Sequence, residues 1–188
     1  MSDSWREAYL GWLKANVKRG DIRQALSHAD HNSTMERSYP YLSRWWQGKG
    51  SRFEEKIRYH ASAVAQSNIN HKDGLSLGVL AHQLQGRISK DSVETRILVM
   101  YGQGLKGLHK NTVSLLRMAK SNNLNVDYGD LLFLYLNWDK TDKSGVKYAR
   151  SKLLNDFYGN IDINTEESST ENQQVNTLTE NKEKENVR

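Results

Sequence analysis

The chain has 188 residues, of which 27 are Lys or Arg, 22 are Asp or Glu and none is Cys. This length buries a real core in one domain or two small lobes, and the missing thiols exclude a disulfide frame, a thiolate metal site and a cysteine nucleophile. Residues 160–188 hold 3 basic and 7 acidic side chains, so the first 159 carry 24 against 15, an excess that points toward polyanionic partners.

In chain order, MSDSWREAYL lacks a basic-then-apolar leader, and no apolar run reaches membrane-spanning length. A soluble, cytoplasmic protein with no membrane partner is expected. Ser4 and Glu7 have capping-box spacing ahead of a helix with Trp5, Ala8, Tyr9, Trp12 and Leu13 on one face, which Gly20 ends. Asp21 is placed to cap a short helix with Ile22, Ala25, Leu26 and Ala29 inward and Arg23 outward. Pro40, the only proline, suits the first turn of a third helix bearing Tyr41, Leu42, Trp45 and Trp46. Ser51 and Glu54 repeat the capping-box spacing before a helix through Phe53, Ile57, Ala61, Val64 and Ala65.

Residues 74–101 are the stretch around which the rest is expected to be organised. Ser76 is a good N-cap for a helix carrying Leu77, Leu80, Ala81 and Leu84. After a polar turn, Asp91 to Glu94 have capping-box spacing before a stripe of Val93, Ile97, Leu98 and Tyr101, with Arg96 at its rim. Gly78 lies inside the first helix, where Ala would be more stable by about 1 kcal/mol, so a close neighbour is expected there.

Gly102 to Gly107 reads as a joint that divides a lobe at 1–101 from a second at 102–159. Leu108, Thr112, Leu115, Leu116 and Ala119 define the next helix, with Lys106, Lys110, Arg117 and Lys120 on or beside its outer faces. Asp127 caps the cleanest period in the chain, and Ser144 is placed to cap a last helix in which Val146, Ala149, Leu153 and Phe157 face in. In that helix Lys147, Arg150 and Lys152 face largely out, and Gly159 closes it. Nothing alternates with period two. The fold class is therefore all-α, about nine helices in two helical-bundle lobes, with no internal repeat. Residues 160–188 have no aromatic side chain and no apolar period, so a disordered acidic and polar tail is expected.

Gly102, Gly104 and Gly107 fit the G-x-G-x-x-G fingerprint, with Asp127 near the ribose-binding distance. A Rossmann sheet needs several parallel strands, and beyond Ile97 to Tyr101 no segment supplies one. A flexible joint is the better reading, with a small helical nucleotide-binding protein or enzyme as the alternative. His28 and His31 lack a third ligand, so no metal site is assigned. No nucleophile elbow and no carboxylate pair on apolar surroundings stands out. No catalytic residue and no cofactor is expected, and the chain is read as a non-enzyme. Among the Trp residues, only Trp138 is a candidate for stacking on bases. Basic residues fall off the apolar stripes of several helices with few acids at i±4 to pair them. If the fold gathers them, they form a track for a phosphate backbone.

Several of these residues also carry a resemblance. Trp5 and Trp12, Gly20, Gly74-Leu-Ser-Leu-Gly78, Glu94-x-Arg96-Ile97, Val113-x-Leu-Leu-Arg117, Asp127-Tyr-x-x-Leu131 and Leu153 to Tyr158 follow one another in an order and spacing similar to the small subunit (CasB family) of type I-E CRISPR surveillance complexes, or Cascade. The likeness covers roughly residues 4 to 159. It implies a non-catalytic subunit that lies beside a second copy of itself, contacts the backbone and large subunits around the crRNA, and helps hold target and displaced DNA strands in the R-loop. Arg52, Arg96 and Arg117 match positions where that family has Arg, and Lys147 and Arg150 fall in its basic final helix. The family's Arg-Arg pair in the second helix is here Ser27-His28, with Arg23 one turn earlier as the expected substitute. Together with Lys106, these give Arg23, Arg52, Arg96, Lys106, Arg117, Lys147 and Arg150 as the expected nucleic-acid-binding set.

Overall fold

The computed structural model describes residues 3–141, 145 and 147–159. Among them run α1 (Asp3–Asn16), α2 (Gly20–Ser27), a 3₁₀ turn (Met35–Ser38), α3 (Tyr39–Trp46), α4 (Ser51–Ser67), β1 (Asn70–His71), α5 (Leu77–Gln85), α6 (Lys90–Gly102), α7 (Leu105–Ser121), β2 (Asn125–Val126), α8 (Tyr128–Asn137) and α9 (Tyr148–Tyr158). The all-α class and the count of nine helices agree with the sequence reading. The tail expectation, with Ser144 and Val146, falls outside the described residues.

Helix α4 is the centre of the molecule. Every residue from Lys56 to Ala65 is buried, and the helix packs against α2, α3, α7 and α8. A helix enclosed on all sides must satisfy its polar groups within the protein. Lys56 Nζ donates to the Leu136 carbonyl at 3.0 Å and Arg58 to the Ala29 carbonyl at 2.6 Å. His60 lies 3.0 Å from the Tyr128 carbonyl through Nε2 and 2.8 Å from the Tyr9 hydroxyl through Nδ1. A carbonyl only accepts, so Nε2 holds the proton and Nδ1 accepts from Tyr9. Burial lowers the His60 pKa to about 3, which keeps the ring neutral.

The 74–101 hairpin lies to one side of this centre rather than forming it. Ser76 caps α5 as expected, accepting from the Val79 N–H. Gly78 does have its close neighbour: a Cβ there would stand 2.6 Å from the Leu153 carbonyl oxygen and 2.6 Å from Asp156 Cβ, both on α9. Helix α6 departs from the expected stripe. Val93, Ile97 and Met100 are buried, whereas Leu98 and Tyr101 are exposed. The capping boxes at Ser51 and Asp91 do not form, because α4 takes Gly50 and α6 takes Ser89 as N-cap, neither with a side-chain cap bond.

Two features tie early and late segments together. β1 pairs with β2 in parallel, Asn70 opposite Asn125 and His71 opposite Val126. Two residues per strand leave no alternation for a sequence reading to detect. The apolar core also runs without a break from Leu13 and Leu26 through Ile57 and Leu84 to Leu108, Leu131 and Phe157. The Gly102–Gly107 segment runs from the end of α6 into the first turn of α7. Ile97 to Tyr101, the strand candidate ahead of it, is helix, so the strand–loop–helix setting of a dinucleotide fingerprint is missing here.

Candidate nucleic-acid interface

Four open clefts follow one another across the surface, and each shares a residue with the next. The first, about 520 Å³, lies between α2, α4 and α7 and is lined by Arg23, Ser27, His28, His31, Gln66 and Arg117. His31 continues into a second cleft with Asp30, Tyr59, His109 and Lys106. Lys106 continues into a third with Gly104, Lys110, Glu55 and Arg52. Arg52 continues into a fourth with Arg6, Phe53, Lys56 and Lys140. Eight Lys or Arg side chains thus line this succession of clefts, one of them the buried Lys56, with Asp30 and Glu55 among them and Asp139 beside Arg52.

The cations in this path are positioned differently. Arg117, exposed on α7, donates to Gln66 Oε1 at 3.1 Å, while Gln66 Nε2 donates to Asp30 at 3.1 Å and to the Ser27 carbonyl at 3.0 Å. Gln66 is thereby fixed, and it holds Arg117 over the first cleft without neutralising it. Partial burial, and to a lesser degree the nearby Lys120 and Arg23, lowers the Lys18 ammonium below its ordinary pKa. Lys18 itself is anchored on the Asn68 and Ile69 carbonyls at 3.1 and 3.2 Å. Arg52 is different. It pairs with Glu55 and with Asp139, each at 2.6 Å, and these carboxylates raise its pKa, the Asp139 bond contributing most. Two anions already share its charge, so it offers less to a phosphate than Arg23, Arg117 or Lys106.

The floor of the second cleft is a buried polar cluster. Asp30 accepts from His109 Nε2 at 3.0 Å and from Ser62 at 2.9 Å, and His109 stacks on Tyr59 at 4.7 Å. Burial would raise the Asp30 pKa, but the His109 and Ser62 bonds outweigh it and hold the carboxyl well below the usual carboxylate range. Ser62, Asp30 and His109 are the residue types of a hydrolytic triad in the wrong arrangement. The Ser62 hydroxyl donates to the carboxylate, and both His109 nitrogens are engaged by Asp30 and Tyr135, so the imidazole does not face the serine. The cluster joins α4 and α7 to the end of α2 and keeps Asp30's charge turned inward.

Three of the expected residues lie elsewhere. Arg96 is half-buried on α6, its Nε without a hydrogen-bond partner, and lines none of these clefts. Lys147 is exposed at the N-cap of α9, also away from them. Arg150 corrects the sequence reading most clearly. It is 5% exposed, lies over the Trp138 ring at 4.6 Å, and donates to the Trp138 and Tyr101 carbonyls. Helical periodicity put it outward, but carbonyls at the ends of α6 and α8 face its guanidinium, and Arg150 donates to them. Trp138 is likewise buried, with Nε1 donating to the Gln103 carbonyl at 2.9 Å, so it is unavailable to stack on bases. Sequence reasoning missed Arg6, Lys56, Lys110 and Lys140 as members of the path, and no local signal marks them, since cations look alike until the fold gathers them. His28 and His31 do share a cleft, but among the described residues no third ligand joins them.

His71, Asp73 and Asp127 bring ligand atoms within 4.8 Å of one another. Their hydrogen bonds explain that closeness. Asp127 caps α8 through the Gly129 N–H at 2.7 Å and accepts the Gly74 N–H at 2.8 Å, and His71 Nδ1 accepts from Tyr128 N–H at 3.2 Å while Nε2 meets Asp73 at 2.8 Å. The group is a clamp on the β1–β2 end. Among the described residues no helix is long and apolar enough to cross a membrane.

The fold has known counterparts. A chain of a CRISPR RNA-guided surveillance complex superimposes with a TM-score of 0.70 at 16% identity, covering 88% of this chain and 98% of that one. A CRISPR-associated protein of the Cse2 family from Thermus thermophilus gives 0.66 at 20% identity, over 85% of this chain and 99% of its own. A structure of CasB from the same organism gives 0.65, also at 20% identity, over the same 85% and 99%. At these identities the likeness speaks for the fold. No curated protein sequence matches. The sequence model of the family described as CRISPR-associated protein Cse2 matches residues 14–158, which takes in the core apart from Tyr9 and Leu13 and all four clefts except Arg6, and on that match the chain belongs to the Cse2 family.

Proposed function

We propose that this chain is a non-catalytic subunit of an RNA-guided CRISPR surveillance complex whose basic path holds nucleic-acid backbone. The observation that carries the reading is the continuity of the path from Arg23 and Arg117 through Lys106 to Arg52, each cleft sharing a residue with the next. Such a path meets phosphates at successive positions, and phosphate contacts carry no sequence information, so binding is expected to be sequence-independent and to depend on salt through counterion release. In an RNA-guided complex the guide reads sequence by pairing and protein subunits contact backbone. A subunit of this kind steadies target and displaced DNA strands while the R-loop forms. Family membership further supports contacts with the backbone and large subunits around the crRNA and with a second copy of the chain.

The test is reconstitution with a chain carrying Arg23→Ala, Lys106→Ala and Arg117→Ala. Guide-RNA assembly is expected to proceed normally while R-loop formation slows by at least about tenfold, on the scale of about 1 kcal/mol lost per phosphate contact. R-loop formation at the wild-type rate by an assembled triple variant would overturn the proposal.

A further inference from the structure

The path has a candidate occupant within its own chain. Residues 160–181 contain Asp162, Glu166, Glu167, Glu171 and Glu180 and no Lys or Arg, whereas the path is lined by eight cations. The family match ends at residue 158, and two of the structural counterparts are almost wholly covered by 85–88% of this chain. The acidic segment therefore lies beyond the stretch that the family model describes. We infer that residues 160–181 act as a tethered competitor for the basic path, occupying it in the absence of nucleic acid, an inference that rests on the reading of that path as a polyanion-binding surface.

Reach and concentration both permit this. Twenty-two residues in extended form span about 70 Å, and a folded domain of this size is about 40 Å across. A segment that starts at the end of α9 can thus meet the path on any face. Each exposed carboxylate–cation contact contributes at most about 1 kcal/mol, so a free peptide of this composition binds weakly. Tethering raises its local concentration to the order of millimolar, enough to compete with weak, non-specific nucleic-acid binding and too weak to block a strand held by a whole complex. The effect is electrostatic, so it fades as salt screens the charges.

The full chain is compared with a full chain carrying Asp162→Asn, Glu166→Gln, Glu167→Gln and Glu171→Gln, which removes charge at nearly constant size. Binding of a labelled oligo-dT is expected to be about threefold to tenfold tighter for the neutralised chain at about 50 mM salt, and within twofold at about 200 mM. In a second arm, a labelled peptide of residues 160–181 binds the neutralised chain, and Arg23→Ala with Arg117→Ala weakens that binding severalfold. Equal oligo-dT affinity at low salt, or peptide binding indifferent to the path substitutions, would overturn the inference. If neither chain binds oligo-dT yet the peptide still requires Arg23 and Arg117, the nucleic-acid reading fails and the competitor stands. If oligo-dT binds and the peptide does not, the competitor fails alone.

Discussion

Arg150 and Arg117 look alike in sequence and have opposite roles in the fold. Removing the Arg150 guanidinium leaves the Trp138 and Tyr101 carbonyls without their donor and uncovers the Trp138 ring. Arg150→Ala should therefore cost about 2–4 kcal/mol, a fall in Tm of about 5–10 °C for a domain of this size, read by thermal denaturation. Arg117→Ala, which loses one exposed bond to Gln66, should shift Tm by less than about 2 °C. His60 gives a pH dependence. Its folded pKa of about 3 lies below the free value near 6.5, so between those values the unfolded chain binds the extra proton. The contribution of neutral His60 is complete above about pH 6.5 and is lost as pH falls toward about 3. Urea unfolding at stepped pH should show stability declining across that window, with a shallower decline in His60→Gln. Equal slopes for the two proteins would contradict the burial argument.

At the scale of elements, two glycines separate what spacing tells from what packing decides. Helix propensity alone makes Gly78→Ala a stabilising change of about 1 kcal/mol. The α9 backbone at 2.6 Å reverses the sign, and Gly78→Ala should push α5 from α9 and destabilise by about 2 kcal/mol or more. Gly104 has open space around its Cβ direction and φ −76°, so Gly104→Ala should be within about 0.5 kcal/mol of wild type and leave nucleic-acid binding unchanged. The helices themselves were legible because Leu77, Leu80, Ala81 and Leu84, or Tyr128, Leu131, Leu132 and Tyr135, repeat with the helical period. The central role of α4 was not. Lys56, Arg58, His60 and Ser62 have the composition of a solvated face, and only their partners on α1, α8 and the segment after α2 reveal it as interior. The capping boxes failed for a related reason, since Gly50 and Ser89 lie one or two residues before the expected caps and took the boundary.

At the scale of the molecule, family membership was legible from ordered motifs spread over many helices, whereas which cations the fold gathers was only partly so. Arg23, Arg52, Lys106 and Arg117 do line one path, whereas Arg96, Lys147 and Arg150 do not. Charge excess is a property of composition. Convergence is a property of helix packing, here the approach of α2 and α7 across α4, and no spacing rule reports it. The same packing explains why Arg52, which matches a family Arg position, is partly neutralised by Asp139, a residue 87 positions away. The central claim is that Arg23, Lys106 and Arg117 act together on one phosphate backbone. The most direct measurement is the salt dependence of DNA binding for the wild-type chain and for the triple Arg23→Ala, Lys106→Ala, Arg117→Ala variant, using two oligonucleotides of unrelated sequence. The account predicts equal affinities for the two sequences, and a slope of log K against log salt that falls by about 2 to 3 in the variant, about 0.7–0.9 for each contact removed. Wild-type affinity and an unchanged slope in the triple variant would contradict it.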